Sequence, residues 1–207
     1  MLGGQPTDFW PFSFLAVSDG IFILLQFVMI NSLYNALRKS GHRMVFSLCP
    51  LLKLTLFYYA MTKILNIQTN TATLVIYDLM SLKHRINDDA DWWSLSEDEV
   101  EEINKGNVLF LNLGDDGVYK ILIKHDVDEY TGSLFLKAPS GKVFVGAGED
   151  ITGGDLEPDD SDVISGEFIT LDPGSYEVKY KKQGSDVLIS FTKATFTENS
   201  LEEAVYL

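Results

Sequence analysis

Between residues 71 and 194, short apolar segments alternate with turn sequences rich in Gly, Asp and Pro, and this alternation limits the folds open to the chain. Short segments rich in β-branched and aromatic residues are typical of strands, and the turn residues favour tight reversals. About eight strands at such short spacing predict a mainly β domain, an antiparallel β-sandwich with Greek-key-like connections. The predicted strands are residues 71–79, 107–113, 118–124, 133–137, 142–145, 163–171, 175–181 and 186–194.

One of the turns carries a more specific signal. Residues 171–176 read L-D-P-G-S-Y. An L-x-P-G-x-Y run resembles the tyrosine corner of Greek-key sandwiches, in which a tyrosine hydroxyl bonds to backbone a few residues upstream. We therefore expect the hydroxyl of Tyr176 to bond to the turn that precedes it.

A helix is indicated between residues 96 and 106. Ser96 is a candidate N-cap, and Glu99 three residues later completes a capping box. Leu95 and Val100 are spaced to form a hydrophobic staple across the same end. Gly106 is suited to end the helix, because glycine accepts a left-handed backbone. A second, shorter helical turn is predicted at residues 80–86, so the domain should contain one or two short helices.

The first 60 residues differ in character from the rest. They contain two acids and four bases, a formal charge of +2, whereas residues 61–207 contain 28 acids and 12 bases, a charge of −16. Residues 9–30 and 44–61 are long apolar runs, which predict an apolar helical hairpin of two transmembrane helices. The loop between them, residues 31–43, carries Arg and Lys, and the positive-inside rule places it in the cytoplasm. The acidic domain would then be attached to the inner membrane and lie outside the cytoplasm.

Two other interpretations of this region are open. A secretory signal peptide would need a basic segment before the first apolar run, and the sequence has none. Alternatively, translation starts at Met61, which leads directly into a strand-forming sequence. Residues 1–60 would then be untranslated and the protein would be cytoplasmic. The predicted domains are an apolar region at residues 1–66 and an acidic β domain at residues 67–207.

Composition excludes several classes of function. The formal net charge of −14 is incompatible with a surface that follows nucleic-acid phosphates. The single cysteine excludes an internal disulfide and a cysteine-rich zinc site. The histidines His42, His84 and His125 lack metal-ligand spacing, and no nucleophile or phosphate-loop motif is present. We therefore predict no catalytic residues and no binding of nucleic acid.

Acidic and aromatic residues come together between residues 87 and 102, and this combination predicts a protein interface. Three aspartates precede the pair Trp92–Trp93, and tryptophan is enriched among the residues that dominate binding at interfaces. If the indoles are buried, they belong to the core instead. The acids of the following helix suit a basic partner, but they also suit a solvated helix face near the positive end of the helix dipole. The predicted partner-binding residues are Asp88, Asp89, Asp91, Trp92, Trp93, Glu97, Asp98, Glu101 and Glu102.

The densest group of carboxylates lies in residues 155–162, which read D-L-E-P-D-D-S-D. Calcium prefers about six to eight oxygen ligands, so Asp155, Asp159, Asp160 and Asp162 are candidate calcium ligands. Their spacing does not match an EF-hand, and a solvated, mobile loop is the alternative. No other cofactor is predicted.

Residues 73–107, TLVIYDLMSLKHRINDDADWWSLSEDEVEEINKGN, resemble a small bacterial family of acidic proteins of unassigned function that is associated with interbacterial toxin and immunity loci. The resemblance covers residues 61–195 and is most specific in the NDDADWW run and the acidic helix after it. Residues 1–60 do not belong to the family pattern, which favours a start at Met61. No catalytic or binding residue follows from the resemblance.

The resemblance implies a non-catalytic protein of the immunity type, which neutralises a cognate toxin by occlusion. An acidic module can meet a basic toxin surface rapidly through long-range attraction, which agrees with this function. Two alternatives are a membrane-attached structural or calcium-binding β-sandwich, and a hydrolase with a carboxylate site.

Overall fold

The computed structural model describes residues 63–159 and 161–207, and this part of the chain is mainly β. It has one α-helix, α1 (Ser96–Asn104), and 3₁₀ helices at Leu79–Arg85, Trp92–Ser94 and Gly148–Asp150. Its strands are β1 (Lys63–Thr69), β2 (Thr73–Asp78), β3 (Val108–Asn112), β4 (Gly117–Lys124), β5 (Gly132–Ala138), β6 (Lys142–Ala147), β7 (Gly166–Thr170), β8 (Gly174–Gln183) and β9 (Asp186–Lys193).

The predictions of an apolar helical hairpin at residues 9–30 and 44–61 and of a start at Met61 lie outside the described residues. Within residues 63–159 and 161–207, no helix combines the length and the apolar character needed to cross a bilayer. β1 begins at Lys63, so this strand spans position 67, where the acidic domain was predicted to begin.

The strands of the described residues form two sheets. The larger has the order β1-β4-β9-β8-β5, and the smaller has the order β3-β2-β6-β7. All neighbouring strands are antiparallel except β4 and β9, which run parallel. The prediction of an antiparallel fold was therefore wrong at this pair. A tight turn after β8 delivers β9 antiparallel to β8, and β4 on the other side of β9 runs in the same direction as β9.

The eight predicted strands are confirmed with small differences at their ends, but β1 was missed. In β1 the side chains of Leu65, Ile67 and Thr69 are buried, and the residues between them are exposed. A strand with only two large buried residues gives a weak pattern. The predicted helical turn at residues 80–86 is confirmed by the 3₁₀ helix Leu79–Arg85.

Buried side chains from both sheets belong to one hydrophobic cluster. β2 lies between β3 and β6, and all six of its residues are buried. β8 lies in the larger sheet and buries Tyr176, Val178 and Tyr180 in alternation, as expected for a strand with one face toward water. β2 ends at Asp78, a buried polar residue that needs hydrogen-bond partners.

The side chain of Asp78 is fully buried, and its carboxylate joins two parts of the fold. Its carboxylate accepts a bond from Met80 N at 2.9 Å, which caps the first 3₁₀ helix. It also accepts bonds from the backbone nitrogens of Ser140 and Gly141, each at 2.9 Å, and from the Ser140 hydroxyl. Asp78 thus ties the end of β2 to the turn between β5 and β6 through neutral donors.

The tyrosine corner predicted at Tyr176 is confirmed, and a second corner occurs at Tyr119. The Tyr176 hydroxyl donates to Asp172 O at 2.6 Å, and the Tyr119 hydroxyl donates to Asp115 O at 2.7 Å. Both turns read D-x-G-x-Y, and their glycines have φ of +154° and +153°, which residues with a Cβ rarely adopt. The two corners fix the starts of β8 and β4, the strands on either side of β9.

Helix α1 is confirmed, but its N-terminus differs from the prediction. The N-cap position is Leu95, no side chain caps it, and Ser96 is already helical. The predicted capping box was therefore wrong. Gly106 ends the helix as predicted, with φ of +70°. Two backbone bonds complete a Schellman motif: Gly106 N donates to Ile103 O at 2.8 Å and Asn107 N donates to Glu102 O at 3.0 Å.

The C-terminal residues hold α1 against an edge of the larger sheet. The Asn199 side chain accepts from Phe135 N and donates to Phe135 O, both at 2.9 Å, and so pairs with the free edge of β5. It also donates to Ile103 O in α1 at 2.8 Å. These bonds satisfy edge groups that could otherwise pair with another chain, and they position the helix that carries the predicted acids.

Candidate functional site

Arg85 lies at the end of the first 3₁₀ helix and holds three acidic side chains of the predicted interface. Its Nη1 bonds to Asp88 Oδ2 at 3.0 Å. Its Nη2 bonds to Asp98 Oδ1 and to Glu102 Oε1, each at 3.0 Å. Burial lowers the pKa of this guanidinium, but the three carboxylates raise it more, so the pKa lies above its ordinary value. Arg85 therefore stays protonated, and its charge is compensated by carboxylates of the same chain.

Glu102 has a fully buried side chain and is the centre of this ionic network. Besides Arg85, its carboxylate bonds to His84 Nε2 at 3.0 Å and to Asn107 Nδ2 at 2.7 Å. Burial raises the pKa of Glu102, but the hydrogen bonds from these three side chains lower it more. The pKa therefore lies below its ordinary value, and the ionised form stabilises the join between α1 and the 3₁₀ helix.

Trp92 and Trp93 connect the ionic network to the hydrophobic core. Trp92 is 4% exposed, and its Nε1 donates to Thr152 O at 2.9 Å. The Arg85 guanidinium lies over its ring at 4.6 Å. Trp93 is half-buried and stacks on Phe110, with the ring centroids 5.5 Å apart. Both rings therefore anchor the site in the core, and Trp92 is not presented to a partner.

An open groove of about 560 Å³ lies above these residues. Four carboxylates line it, and its one lining cation, Arg85, is already paired with two of them. Leu95 also lines the groove, and its side chain is 61% exposed. The groove thus combines a surplus of negative charge with an accessible apolar side chain. The lining carboxylates are Asp88, Asp89, Asp91 and Asp98.

Residues 86–92 also fix the start of the predicted calcium loop. Gly154 N donates to Asp88 O at 2.7 Å, and Asp155 N donates to Ile86 O at 2.8 Å. Gly153 packs so closely that a Cβ there would lie 3.1 Å from Asp89 O. The two acidic segments that were predicted separately therefore adjoin in the fold.

Residues 61–207, most of the chain, match DUF6386, a family of unknown function. The chain belongs to this family. No curated protein matches this chain. A solved structure titled "Crocagin biosynthetic gene J" is similar over 64% of this chain and 96% of its own, with 14% sequence identity and a TM-score of 0.40.

In the DUF6386 domain the predicted partner-binding residues have three different placements. Five of the nine line the groove, namely the four aspartates and the buried Trp92. Glu102 is buried beneath it, and Trp93 is half-buried against Phe110. Glu97 and Glu101 are exposed on α1, where Glu101 pairs with Lys105 at 2.7 Å. The surface available to a partner is therefore the aspartates, Leu95 and the exposed helix acids.

The structure describes three of the four candidate calcium ligands of the DUF6386 domain. Asp155, Asp159 and Asp162 are exposed, and Asp160 lies outside the described residues. The Asp159 carboxylate accepts from Ser161 N at 2.9 Å. Hydrogen bonding from the Ser161 side chain and backbone holds the pKa of Asp159 below the ordinary value. Across residues 63–159 and 161–207, no three His, Cys, Asp or Glu side chains are arranged to hold a metal ion.

The sequence interpretation missed two residues of this DUF6386 site, Arg85 and Leu95. Arg85 did leave a signal, because it is the last base before residues 86–104, which contain eight acids and no base. A base in that position is the natural counter-charge for acids that fold back onto it. Leu95 was interpreted as part of a hydrophobic staple, and nothing local indicated that it stays exposed.

Proposed function

We propose that this protein is a non-catalytic binding protein of the immunity type, which neutralises a cognate bacterial toxin by covering a basic part of its surface. One observation carries the proposal: the groove is lined by the exposed Leu95, by four carboxylates and by a single cation, which is already paired. A lysine or arginine of the partner would find uncompensated negative charge there. The resemblance of residues 73–107 to proteins of toxin and immunity loci supports the same function.

The charge of the whole domain supports a fast encounter. Residues 61–207 carry a formal charge of −16, which attracts a basic partner over distances comparable to the Debye length. Exposed acids at such a surface act mainly on the association rate. Burial of Leu95 against the partner would then slow dissociation, because apolar contact is not screened by salt.

For the fold we propose the finer description of a Greek-key-like β-sandwich. The shared core of the two sheets and the two tyrosine corners support it. The parallel pair β4–β9 is its departure from a fully antiparallel arrangement.

For the compartment we propose two outcomes that depend on the start of translation. If residues 1–60 are translated, the domain is attached to the inner membrane and lies outside the cytoplasm. If translation starts at Met61, the protein is cytoplasmic, and the family match also begins at residue 61. The intact mass of the protein purified from its native host distinguishes the two starts.

The function is tested by a pull-down of the full chain against the purified products of its neighbouring genes, at about 50 mM and about 300 mM salt, concentrations that differ strongly in screening. We expect one neighbour to be retained at low salt and to be retained less at high salt. If no neighbour is retained even at low salt, the proposal is wrong.

Matched charge reversals locate the contact. Asp89→Lys with Asp91→Lys changes two exposed acids of the groove that form no ion pair with any described residue. Asp116→Lys with Asp128→Lys makes the same charge change on exposed turns elsewhere. We expect the groove variant to slow association about tenfold, and the control much less, because steering by charge is strongest at the contact. Equal effects of the two variants would place the contact outside the groove.

A further inference from the structure

A second exposed apolar residue lies on the turn that packs against the groove. Leu156 is 72% exposed. Its backbone exchanges two hydrogen bonds with Gly153, at 3.0 and 3.1 Å, so the residues between them form a closed turn. A large apolar side chain on a turn fixed in this way is presented to solvent without an evident structural role.

The turn and the groove form one continuous surface. Gly154 bonds to the backbone of Asp88, and a Cβ on Gly154 would lie 3.1 Å from the Cβ of Ala90. The Trp92 indole, which supports the groove, bonds to Thr152 at the base of the turn. Leu156 therefore lies on a turn that is bonded to the segment lining the groove. Exposed apolar residues with a polar surround are typical of protein interaction sites.

Asp155 is the carboxylate on this turn that a partner can reach. Its residue is exposed, and it forms no ion pair among the described residues. Glu157 is half-buried, and its Oε1 is shielded from solvent. A cation of a partner would therefore pair with Asp155, beside the exposed Leu156.

We propose that residues 153–157 are the second half of the partner surface, and that they take a protein segment in which a lysine or arginine lies next to a large apolar side chain. Leu156 packs against the apolar side chain, and the exposed Asp155 carboxylate pairs with the cation. The carboxylates on both halves of the surface repel an acidic segment. This inference rests on the proposed function and extends it to the chemistry of the bound segment.

Two synthetic peptides of equal charge test the inference, one alternating Lys with Leu and the other alternating Lys with Ser. Binding to the full chain is measured by fluorescence anisotropy. We expect the Lys–Leu peptide to bind at least about fivefold more tightly, because burial of a leucine favours association. Leu156→Ser should remove most of that difference and leave the Lys–Ser peptide unaffected. Asp155→Asn should weaken both peptides.

Val163→Ser is the matched control, because Val163 is 87% exposed and does not line the groove. We expect it to change neither affinity. Equal binding of the two peptides, equal effects of Leu156→Ser and Val163→Ser, or no binding of either peptide overturns the inference.

Leu95→Ser separates this inference from the proposed function. If Leu95→Ser and the groove charge reversals weaken the cognate partner while Leu156→Ser does not, the inference fails and the proposed function stands. If none of these variants weakens the partner retained in the pull-down, the inference fails and the contact lies outside the groove, whereas the proposed function fails only if no partner is retained.

Discussion

Two fully buried carboxylates, Asp78 and Glu102, hold two regions of the molecule together by different means. Asp78 lies in the β framework, where all its hydrogen-bond donors are neutral backbone N–H groups and one hydroxyl. Glu102 lies beneath the groove, and Arg85 and His84 are among its donors. The framework thus depends on fixed dipoles, and the groove depends on a network of charges.

This difference means that the two regions can be disturbed separately. Neutral donors leave the framework insensitive to salt, whereas the ionic network shares Arg85 with the carboxylates that line the groove. A change in the charges of the groove therefore alters its support, but it should leave the sheets intact.

The largest effect is expected for Asp78→Ala. The backbone N–H groups of Met80, Ser140 and Gly141 would lose their acceptor, and the N–H of Gly141 is buried. We expect the free energy of unfolding to fall by about 3–4 kcal/mol, measured by urea denaturation, with no dependence on salt. Asp116→Ala, at an exposed acid, is the control and should change it little. A loss under about 1 kcal/mol would contradict the role assigned to Asp78.

A smaller effect is expected for Glu102→Ala. Arg85 would lose one carboxylate but keep Asp88 and Asp98, so its charge would stay paired. We expect a loss of about 2–3 kcal/mol by the same measurement, below the range for breaking an isolated buried pair. If Glu102→Ala destabilised the protein more than Asp78→Ala, the contrast between the two regions would be reversed.

The ionic region should also respond to acid. Because the pKa of Glu102 is lower in the folded protein than its ordinary value of 4.5, its ionised form contributes stability above pH 4.5. That contribution is lost as the pH falls through the folded pKa. The difference in unfolding free energy between the natural protein and Glu102→Gln should therefore shrink below pH 4.5. A difference that stays constant down to pH 3 would mean that the charge of Glu102 contributes nothing.

The smallest effects are expected for Tyr119→Phe and Tyr176→Phe. Each removes one hydrogen bond from a neutral corner of the framework, which costs about 1 kcal/mol. The two corners begin different strands and share no partner, so the losses should add in the double variant. A double variant that loses much more than the sum would show that the corners act together.

Local patterns predicted most of the framework. Alternation and turn residues located eight strands, the L-D-P-G-S-Y run located one tyrosine corner, and Gly106 located the end of α1. The parallel pairing of β4 and β9 escaped prediction, because it depends on the order of strands in the sheet and not on either strand alone. β1 was missed for a different reason, because Leu65 and Ile67 are its only large buried residues and its local pattern is weak.

The groove was predictable only in its acidic content. The NDDADWW run pointed to the right place, but which of its side chains face solvent was decided by tertiary packing. Trp92 is buried by Phe110 and by its bond to Thr152, neither of which is local in sequence. Glu102 is buried because Arg85 reaches it from another element. Leu95 remains exposed because no distant element covers it among the described residues.

The position of β9 has a consequence for synthesis on the ribosome. β9 comes after all the other strands of the larger sheet in the sequence, yet it lies in the middle of that sheet, between β4 and β8. Until β9 has left the exit tunnel, the edges of β4 and β8 that pair with β9 in the finished fold have no partner. The larger sheet must therefore close after translation of its final strand, and that interval is when the chain most needs protection by chaperones.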